Sequence, residues 1–199
     1  MVETTRRREI EDVASELFRE HGYSGTSVRD IARALDIQGA SLYAHVASKQ
    51  DVLWSIVDRT ASQFETAADA ASAGLAGADP IARLRALASA HVGVVLEDVW
   101  RASVFIHEWR SLSPERRART LARRDAYEQR FRGVIREGTE AGVFAAIDPT
   151  VAASYLLTAL NGLVAWYQPD GRLGPDSVTD AYVELSIRAV SGAAPEGSP

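Results

Sequence analysis

The chain lacks several features, and each absence narrows the classes of protein to which it can belong. Its 199 residues include no cysteine, which excludes disulfide bonds and thiolate chemistry and agrees with a cytoplasmic protein. No apolar run is long enough to span a bilayer, and the N-terminal segment has no apolar core of a secretory signal. We therefore expect a cytoplasmic protein without a membrane partner.

The chain also lacks any segment with the alternating polar and apolar pattern of a β-strand. Apolar residues instead recur at spacings of three and four, and pairs such as Asp148-Pro149 mark helix starts. This pattern predicts an all-α fold of about nine helices. We expect the first helix to span about residues 7–21, after a basic arm at residues 1–8.

The stretch from Thr26 to Asp51 contains two short amphipathic segments separated by a tight break at residues 36–38. The hydroxyl of Thr26 or Ser27 can cap the first segment. Two helices joined by so short a turn must cross steeply, which is the helix-turn-helix arrangement. The second segment then presents a small, polar face that suits the major groove of DNA.

This stretch resembles the DNA-binding domain of TetR-family transcriptional regulators. The similarity is carried by TSVRDIA at residues 26–32, SLYAHV at residues 41–46 and the pair Ser48-Lys49. Asp36 departs from the family, which usually has Gly in the turn, although Asp tolerates a left-handed backbone better than most residues. The resemblance implies DNA contacts from eight residues: Ser27, Arg29, Gly39, Ala40, Ser41, Tyr43, His45 and Lys49.

The polar side chains of this stretch have different expected roles. The Tyr43 hydroxyl is predicted to donate to a phosphate oxygen, and the alternative is a tyrosine packed on the first helix. Lys49, the sole lysine, lies at a helix start, where backbone amides already favour an anion. Arg29 reaches either a guanine edge or a phosphate.

The charge balance is unusual for a protein that binds DNA. The net charge is −5, and acidic residues outnumber basic ones within residues 1–51. More than half of those acids lie between Glu9 and Glu20, on the first helix. DNA binding therefore requires this helix to face away from the phosphates, while Arg6–Arg8, Arg29 and Lys49 face them.

Arginines are concentrated between residues 100 and 136. Arg116, Arg123 and Arg130 recur every seven residues, so they lie on nearly one stripe of a helix. One interpretation is a solvated, salt-bridged helix face. The other is a cationic edge beside an aromatic cavity, since Trp109, Tyr127 and Trp166 are predicted on neighbouring helices.

The C-terminal part, with RDAY at residues 124–127, Gly142-Val143-Phe144 and Trp166-Tyr167, resembles one branch of the same family. That branch contains repressors of fatty-acid, aromatic-acid and steroid catabolism that respond to acyl-CoA thioesters. The resemblance implies a small-molecule effector, expected to be an acyl-CoA. Five residues are predicted to bind it: Trp109, Arg123, Tyr127, Arg130 and Trp166.

Catalysis has little support in the sequence. His107-Glu108 lacks the second histidine of a zinc motif, and no nucleophile turn accompanies Ser103. We expect no enzyme activity, no cofactor and no bound metal. The alternative to a DNA-binding repressor is a helical protein that binds a small ligand without operator-specific DNA binding.

The last two predicted helices are apolar over more than one face, which suggests that they pair with a second copy of the chain. Such a homodimer would form a four-helix bundle and read a palindromic operator. The predicted organisation is a helix-turn-helix DNA-binding domain at 1–51, a helical regulatory and dimerisation domain at 52–192, and a disordered tail at 193–199.

Overall fold

Nine α-helices follow one another in the computed structural model, which describes residues 2–191 and their side chains from residue 6 onward. None of these residues lies in a strand, so the predicted all-α fold is confirmed. The predicted tail at 193–199 lies outside the described residues. The helices are α1 (Val2–Gly25), α2 (Val28–Ala34), α3 (Gly39–Tyr43), α4 (Lys49–Ser72), α5 (Pro80–Glu97), α6 (Val99–His107), α7 (Pro114–Glu140), α8 (Pro149–Asn161) and α9 (Pro175–Ser191).

Two short 3-10 helices extend this series, Glu108–Ser111 after α6 and Gly162–Ala165 after α8. The start of α8 follows the signal in the sequence. Asp148 accepts hydrogen bonds from the backbone nitrogens of Thr150 at 2.7 Å and Val151 at 3.1 Å. Such a cap satisfies backbone donors that have no partner inside the helix.

Helix α1 confirms one prediction and corrects another. Gly22 interrupts the regular helix with φ 73° and ψ 159°, at the predicted end. The helix begins at Val2, however, so the predicted basic arm is helical over its described residues, 2–8. Arg6 pairs with Glu9 at 2.6 Å, and a pair three residues apart stabilises a helical turn.

The chain forms two units. The first comprises the residues up to Ser62 together with Asp98–Arg123, and the second comprises Gln63–Glu97 together with the chain from Arg124 onward. Helices α4 and α7 contribute residues to both units. The domain boundary predicted at residue 51 stays a prediction, because compact units of packing need not coincide with functional domains.

The core of the first unit is built from α1 to α4 and α6. Its fully buried side chains include Ile10, Phe18, Leu42 and Ile56. α1 packs on α6, where the buried Arg101 pairs with Asp12 at 2.8 Å and with Asp98 at 2.6 Å. An arginine held by two carboxylates fixes the contact between these helices.

The core of the second unit lies between α5, α8, α9 and the C-terminal part of α7. α5 packs along α9, and buried Leu84, Phe131, Leu156 and Leu160 fill the interior. Among residues 2–191, no helix has the length and apolarity needed to cross a membrane.

Candidate DNA-binding and ligand-binding sites

The turn between α2 and α3 is built around Asp36. This residue has φ 52°, the left-handed conformation expected where the family usually has glycine. The Asp36 nitrogen donates to Arg33 O at 3.1 Å, and the Ile37 nitrogen donates to Ala32 O at 3.0 Å. These bonds close the α2 helix and direct the chain into α3 within four residues.

The start of α2 is held by a capping box. The Asp30 nitrogen donates to Ser27 Oγ at 3.2 Å, and the Ser27 nitrogen donates to Asp30 Oδ2 at 2.9 Å. Hydrogen bonds from the Ser27 hydroxyl and backbone, with the nearby Arg33 charge, lower the pKa of Asp30. The structure thus gives Ser27 a capping role, and its predicted contact with DNA stays a prediction.

Helix α3 buries Leu42, and Val46 just beyond it is also buried. Opposite them, Ala40, Ser41 and Tyr43 are exposed. The Tyr43 side chain is 56% exposed, which excludes the alternative in which it packs on α1.

Gly39 and His45 are the other two residues of this face. A side chain built on Gly39 would meet nothing within 4 Å, so the fold does not require glycine there. His45 is half-buried at the end of the same segment. The face is therefore small near the start of α3 and aromatic at its end.

Arg29 is exposed on α2 and makes no hydrogen bond or ion pair to any other described residue. It lines an open groove of about 410 Å³ beside the turn, together with Arg33, Gln38 and Gly39. Its guanidinium is therefore available to a phosphate or a base edge, as predicted.

Lys49 lies at the first turn of α4 and is more constrained than the sequence suggested. Its ammonium donates to Tyr23 O at 2.8 Å and to Thr26 O at 2.7 Å, and it lies 4.2 Å from the centre of the Tyr23 ring. An ammonium has three donors, so one remains for a phosphate. Lys49 also fixes the chain between α1 and α2.

The predicted arginine stripe of α7 consists of ion pairs with α4. In the first unit Arg116 contacts Asp51 at 2.5 Å, and Arg123 contacts Asp58 at 2.8 Å. Arg123 also donates to Ser62 Oγ at 2.9 Å. We call the three ion pairs of α7 with α4 the arginine ladder: Arg116–Asp51, Arg123–Asp58 and Arg130–Asp69.

Arg130 and Tyr127 lie in the second unit, in different surroundings. Arg130 lines a cavity of about 180 Å³. Tyr127 is buried, and its hydroxyl lies 3.2 Å from His91 Nδ1. Burial raises the pKa of Tyr127, which keeps the hydroxyl protonated.

His91 sits in an aromatic box. Its ring centre lies 4.7 Å from that of Phe64, 5.7 Å from that of Tyr127 and 6.3 Å from that of Phe131. Burial lowers the pKa of His91 to about 4, and the Arg124 charge acts in the same direction. The side chain of Asn161 acts in the opposite direction and raises the pKa of His91. The Nε2 atom of His91 makes no hydrogen bond of good geometry to the described residues.

The two predicted tryptophans are not brought together within one unit. Trp109 is buried in the first unit, where the Arg110 guanidinium lies 4.6 Å from its ring centre. Trp166 is on the surface of the second unit, stacked on Tyr182 at 6.2 Å, and its Nε1 donates to the Tyr182 hydroxyl at 3.0 Å. The predicted ligand contacts of both tryptophans stay predictions.

Comparisons with known proteins agree with this geometry. The family model described as "Bacterial regulatory proteins, tetR family" matches residues 10–56. The model described as "Tetracyclin repressor-like, C-terminal domain" matches residues 77–190, more than half of the chain. The chain belongs to the TetR family of transcriptional regulators.

This TetR-family regulator is similar over nearly its whole length to several characterised proteins. It is 29% identical over 188 residues to the HTH-type transcriptional repressor KstR2 of Rhodococcus jostii (strain RHA1), with 92% of this chain and 89% of that protein covered. The TetR family transcriptional regulator PfmR from Thermus thermophilus is 36% identical, with a TM-score of 0.79 over 90% of this chain and 97% of that one. AibR, solved in complex with isovaleryl coenzyme A and operator DNA, is 29% identical, with a TM-score of 0.79 and the same coverage.

Sequence reasoning missed two groups that this TetR-family regulator places at its candidate ligand sites. Arg83 lines the same cavity as Arg130, and the ring of His91 packs against that of Tyr127. Leu87 and His91 are four residues apart on α5, which was the available signal that they share a face. Among the described residues, no cluster of three or more His, Asp or Glu side chains could hold a metal ion.

Proposed function

We propose that this protein is a homodimeric transcriptional repressor that binds a palindromic operator and is released from it by a small ligand, an acyl-CoA thioester. The observation that carries the proposal is the exposed face of α3, held on a capped helix-turn-helix. Because the ligand acts on DNA-bound protein, we place the activity in the cytoplasm.

We assign the DNA contacts in three groups. Tyr43, Lys49 and His45 bind phosphate oxygens. These contacts fix the orientation of the helix-turn-helix on the duplex. Arg29 reaches a base edge or a phosphate from α2. The remaining contacts come from the capping residue and the small residues at the start of α3: Ser27, Gly39, Ala40 and Ser41.

The proposed dimer uses the outer faces of α8 and α9. Val151, Tyr155 and Leu185 are large apolar side chains that are exposed in the monomer, and Ala159 is a small exposed residue between them. Large apolar side chains grouped on one face are typical of protein interfaces. To read a palindrome on one side of the DNA, the two recognition helices of such a dimer must lie about 34 Å apart.

The proposed effector follows from the branch of the family. KstR2 and AibR are among the relatives, and AibR was solved with isovaleryl coenzyme A. In this chain we retain the predicted ligand residues as candidates: Trp109, Arg123, Tyr127, Arg130 and Trp166. Of these, Arg130 has the strongest support because it lines a cavity.

Release from DNA requires that the ligand bind one conformation better than another. A ligand that favours the state in which the two recognition helices are wrongly spaced lowers the affinity for DNA by the ratio of its affinities for the two states. DNA binding must weaken the ligand by the same factor, because the coupling between the two sites is reciprocal.

The test is a gel shift of the DNA upstream of the gene, with acyl-CoA thioesters of different chain length added to the preformed complex. We expect a shifted band that falls with salt concentration and disappears with at least one thioester. A complex that forms but withstands every thioester contradicts the effector. The absence of any complex favours the alternative, a ligand-binding helical protein without operator recognition.

A further inference from the structure

The second unit contains a cavity of about 180 Å³ between α5 and α7. Two of its walls, Leu87 and Val134, are buried apolar side chains, and two of its residues are arginines. We call it the Arg83–Arg130 cavity. Six residues line it: Ser72, Leu75, Arg83, Leu87, Arg130 and Val134.

Both arginines are held by carboxylates that are themselves in contact with water. Arg130 contacts Asp69 at 2.5 Å, and the Asp69 side chain is 67% exposed. Arg83 pairs with Glu137, whose side chain is 49% exposed. Ion pairs between groups this exposed contribute little to stability, so an incoming anion can replace either carboxylate at little cost.

The surroundings favour a ligand anion over the present partners. A carboxylate delivered together with an apolar group gains hydrophobic burial against Leu87 and Val134 in addition to its hydrogen bonds. Arginine binds a carboxylate through two parallel N–H donors, and two arginines at one cavity allow both oxygens to be satisfied. A neutral apolar ligand would gain only the first of these contributions.

The volume limits the size of the group. An apolar cavity of about 150 Å³ accommodates benzene, which has six heavy atoms. The Arg83–Arg130 cavity is slightly larger and is below the roughly 300 Å³ at which sites for whole drug-sized ligands begin. It therefore holds an apolar group of about six or seven heavy atoms, in addition to the carboxylate that the arginines bind.

We propose that the Arg83–Arg130 cavity binds a short apolar group that carries a carboxylate, with the ligand replacing Asp69 and Glu137 as the partner of the two arginines. Two sources supply this chemistry: a free short-chain carboxylic acid, and the coenzyme A half-thioester of a short dicarboxylic acid. The assignment rests on the proposed function only in making this ligand the effector.

Calorimetry on the full chain without DNA tests the assignment, with hexanoate, dodecanoate, hexanoyl-CoA and adipyl-CoA as probes. We expect hexanoate or adipyl-CoA to bind, and which of the two binds identifies the source. Dodecanoate should bind more weakly than hexanoate, and hexanoyl-CoA more weakly than adipyl-CoA. The absence of binding by both hexanoate and adipyl-CoA, or the reverse of either order, overturns the proposal.

Variants locate the site. Arg83→Gln and Arg130→Gln should each weaken binding at least tenfold. Arg85→Gln is the matched control, because Arg85 lies on the same helix as Arg83, pairs with Glu184 of α9 and does not line the cavity. Ser72→Trp, at an exposed lining position, should also weaken binding without disturbing the core. Full binding in both arginine variants contradicts the assignment.

Operator release is measured separately, on the preformed DNA complex. If the carboxylate binds in the cavity but leaves the DNA complex intact, the cavity assignment stands and the proposed effector function fails. If adipyl-CoA releases DNA equally from the unmodified protein and from Arg130→Gln, the effector function stands and the cavity assignment fails.

Discussion

Among single residues, Lys49 has a structural role in addition to the phosphate contact that the sequence predicts. Two of its three donors are used by the carbonyls of Tyr23 and Thr26, so its charge holds the corner between α1 and α2. Tyr43 has no such structural role, because more than half of the residue is exposed. The two predicted phosphate contacts should therefore differ in their effect on stability.

Substitution of each residue separates these effects. Lys49→Ala and Tyr43→Phe should both weaken binding to cognate and random DNA alike, because phosphate contacts carry no sequence information. Only Lys49→Ala should lower the stability, by about 2 kcal/mol or roughly 4–8 °C in Tm. Anisotropy on two DNA fragments and thermal melts check this, and a loss confined to the cognate fragment contradicts the phosphate roles.

The protonation of His91 is linked to folding in the acid range. Its pKa falls from 6.5 to about 4 because burial disfavours the charged ring. Between these values the unfolded chain binds a proton that the folded chain does not. Its contribution to stability is therefore fully present above about pH 6.5 and is lost as the pH falls toward 4.

Unfolding by urea at several pH values measures this contribution. The stability of the unmodified protein should fall by about 3 kcal/mol from this group between pH 6.5 and 4. His91→Phe should lack that component, whereas His21→Gln should retain it, because His21 is exposed. An unchanged pH slope in His91→Phe would show that another group is responsible.

At the scale of helices, the arginine ladder explains how a highly charged helix packs. α7 carries an arginine every seven residues, and α4 presents a carboxylate opposite each one. Arg123 is mostly buried at this contact and bonds to both Asp58 and Ser62. Removal of its charge should therefore affect the protein before any ligand is added.

Arg123→Ala should lower the stability of the ligand-free protein by about 1–2 kcal/mol, because Asp58 and Ser62 lose a charged donor. Arg119→Ala is the control. Arg119 is 66% exposed, and its distance to the same carboxylate is longer, at 3.7 Å. Its loss should therefore be close to neutral. Denaturant midpoints check this, and equal effects of the two substitutions contradict the ladder as a packing feature.

The helices themselves were predictable because their signals are local. Asp148-Pro149, Pro175 and the glycine at position 22 mark starts and ends that depend on a few neighbouring residues. The basic arm was predicted wrongly, since the pairing of Arg6 with Glu9 favours a helix over a free segment. Side-chain pairing between neighbours can outweigh a run of like charge.

The sites were only partly predictable because they depend on contacts between distant segments. Exposure of Tyr43 followed from the spacing of Leu42 and Val46, which lie on the opposite face of one short segment. The cavity did not follow, because Arg83 and Arg130 meet only when α5 packs against α7. No spacing within either helix carries that information.

For the complete protein, recognition of an operator depends on assembly. A single helix-turn-helix with a five-residue recognition helix, α3, buries too little surface to select a site in a genome. In the proposed dimer, pairing through the outer face of α8 and α9 doubles the surface that contacts DNA. Leu185 on that face is 61% exposed although it is apolar. The protein should therefore be a stable dimer without DNA or ligand.

Charges on this face should prevent assembly. Ala159→Glu combined with Leu185→Glu should give monomers that no longer bind the operator, because both positions are exposed in the monomer and the core is untouched. Leu121→Glu, at an exposed apolar position on α7, should remain dimeric. Sedimentation velocity checks both, and a monomer of the unmodified protein at micromolar concentration overturns the dimer.

Operator selectivity distinguishes a regulator from a helical protein that only binds a ligand. The affinity of the unmodified protein for its upstream DNA should be compared by anisotropy with its affinity for a shuffled fragment of the same composition, at one fixed salt concentration. A paired helix-turn-helix regulator should bind the upstream fragment at least about 10³-fold more tightly. Equal affinities for the two fragments would contradict the account and leave a helical ligand-binding protein without operator recognition.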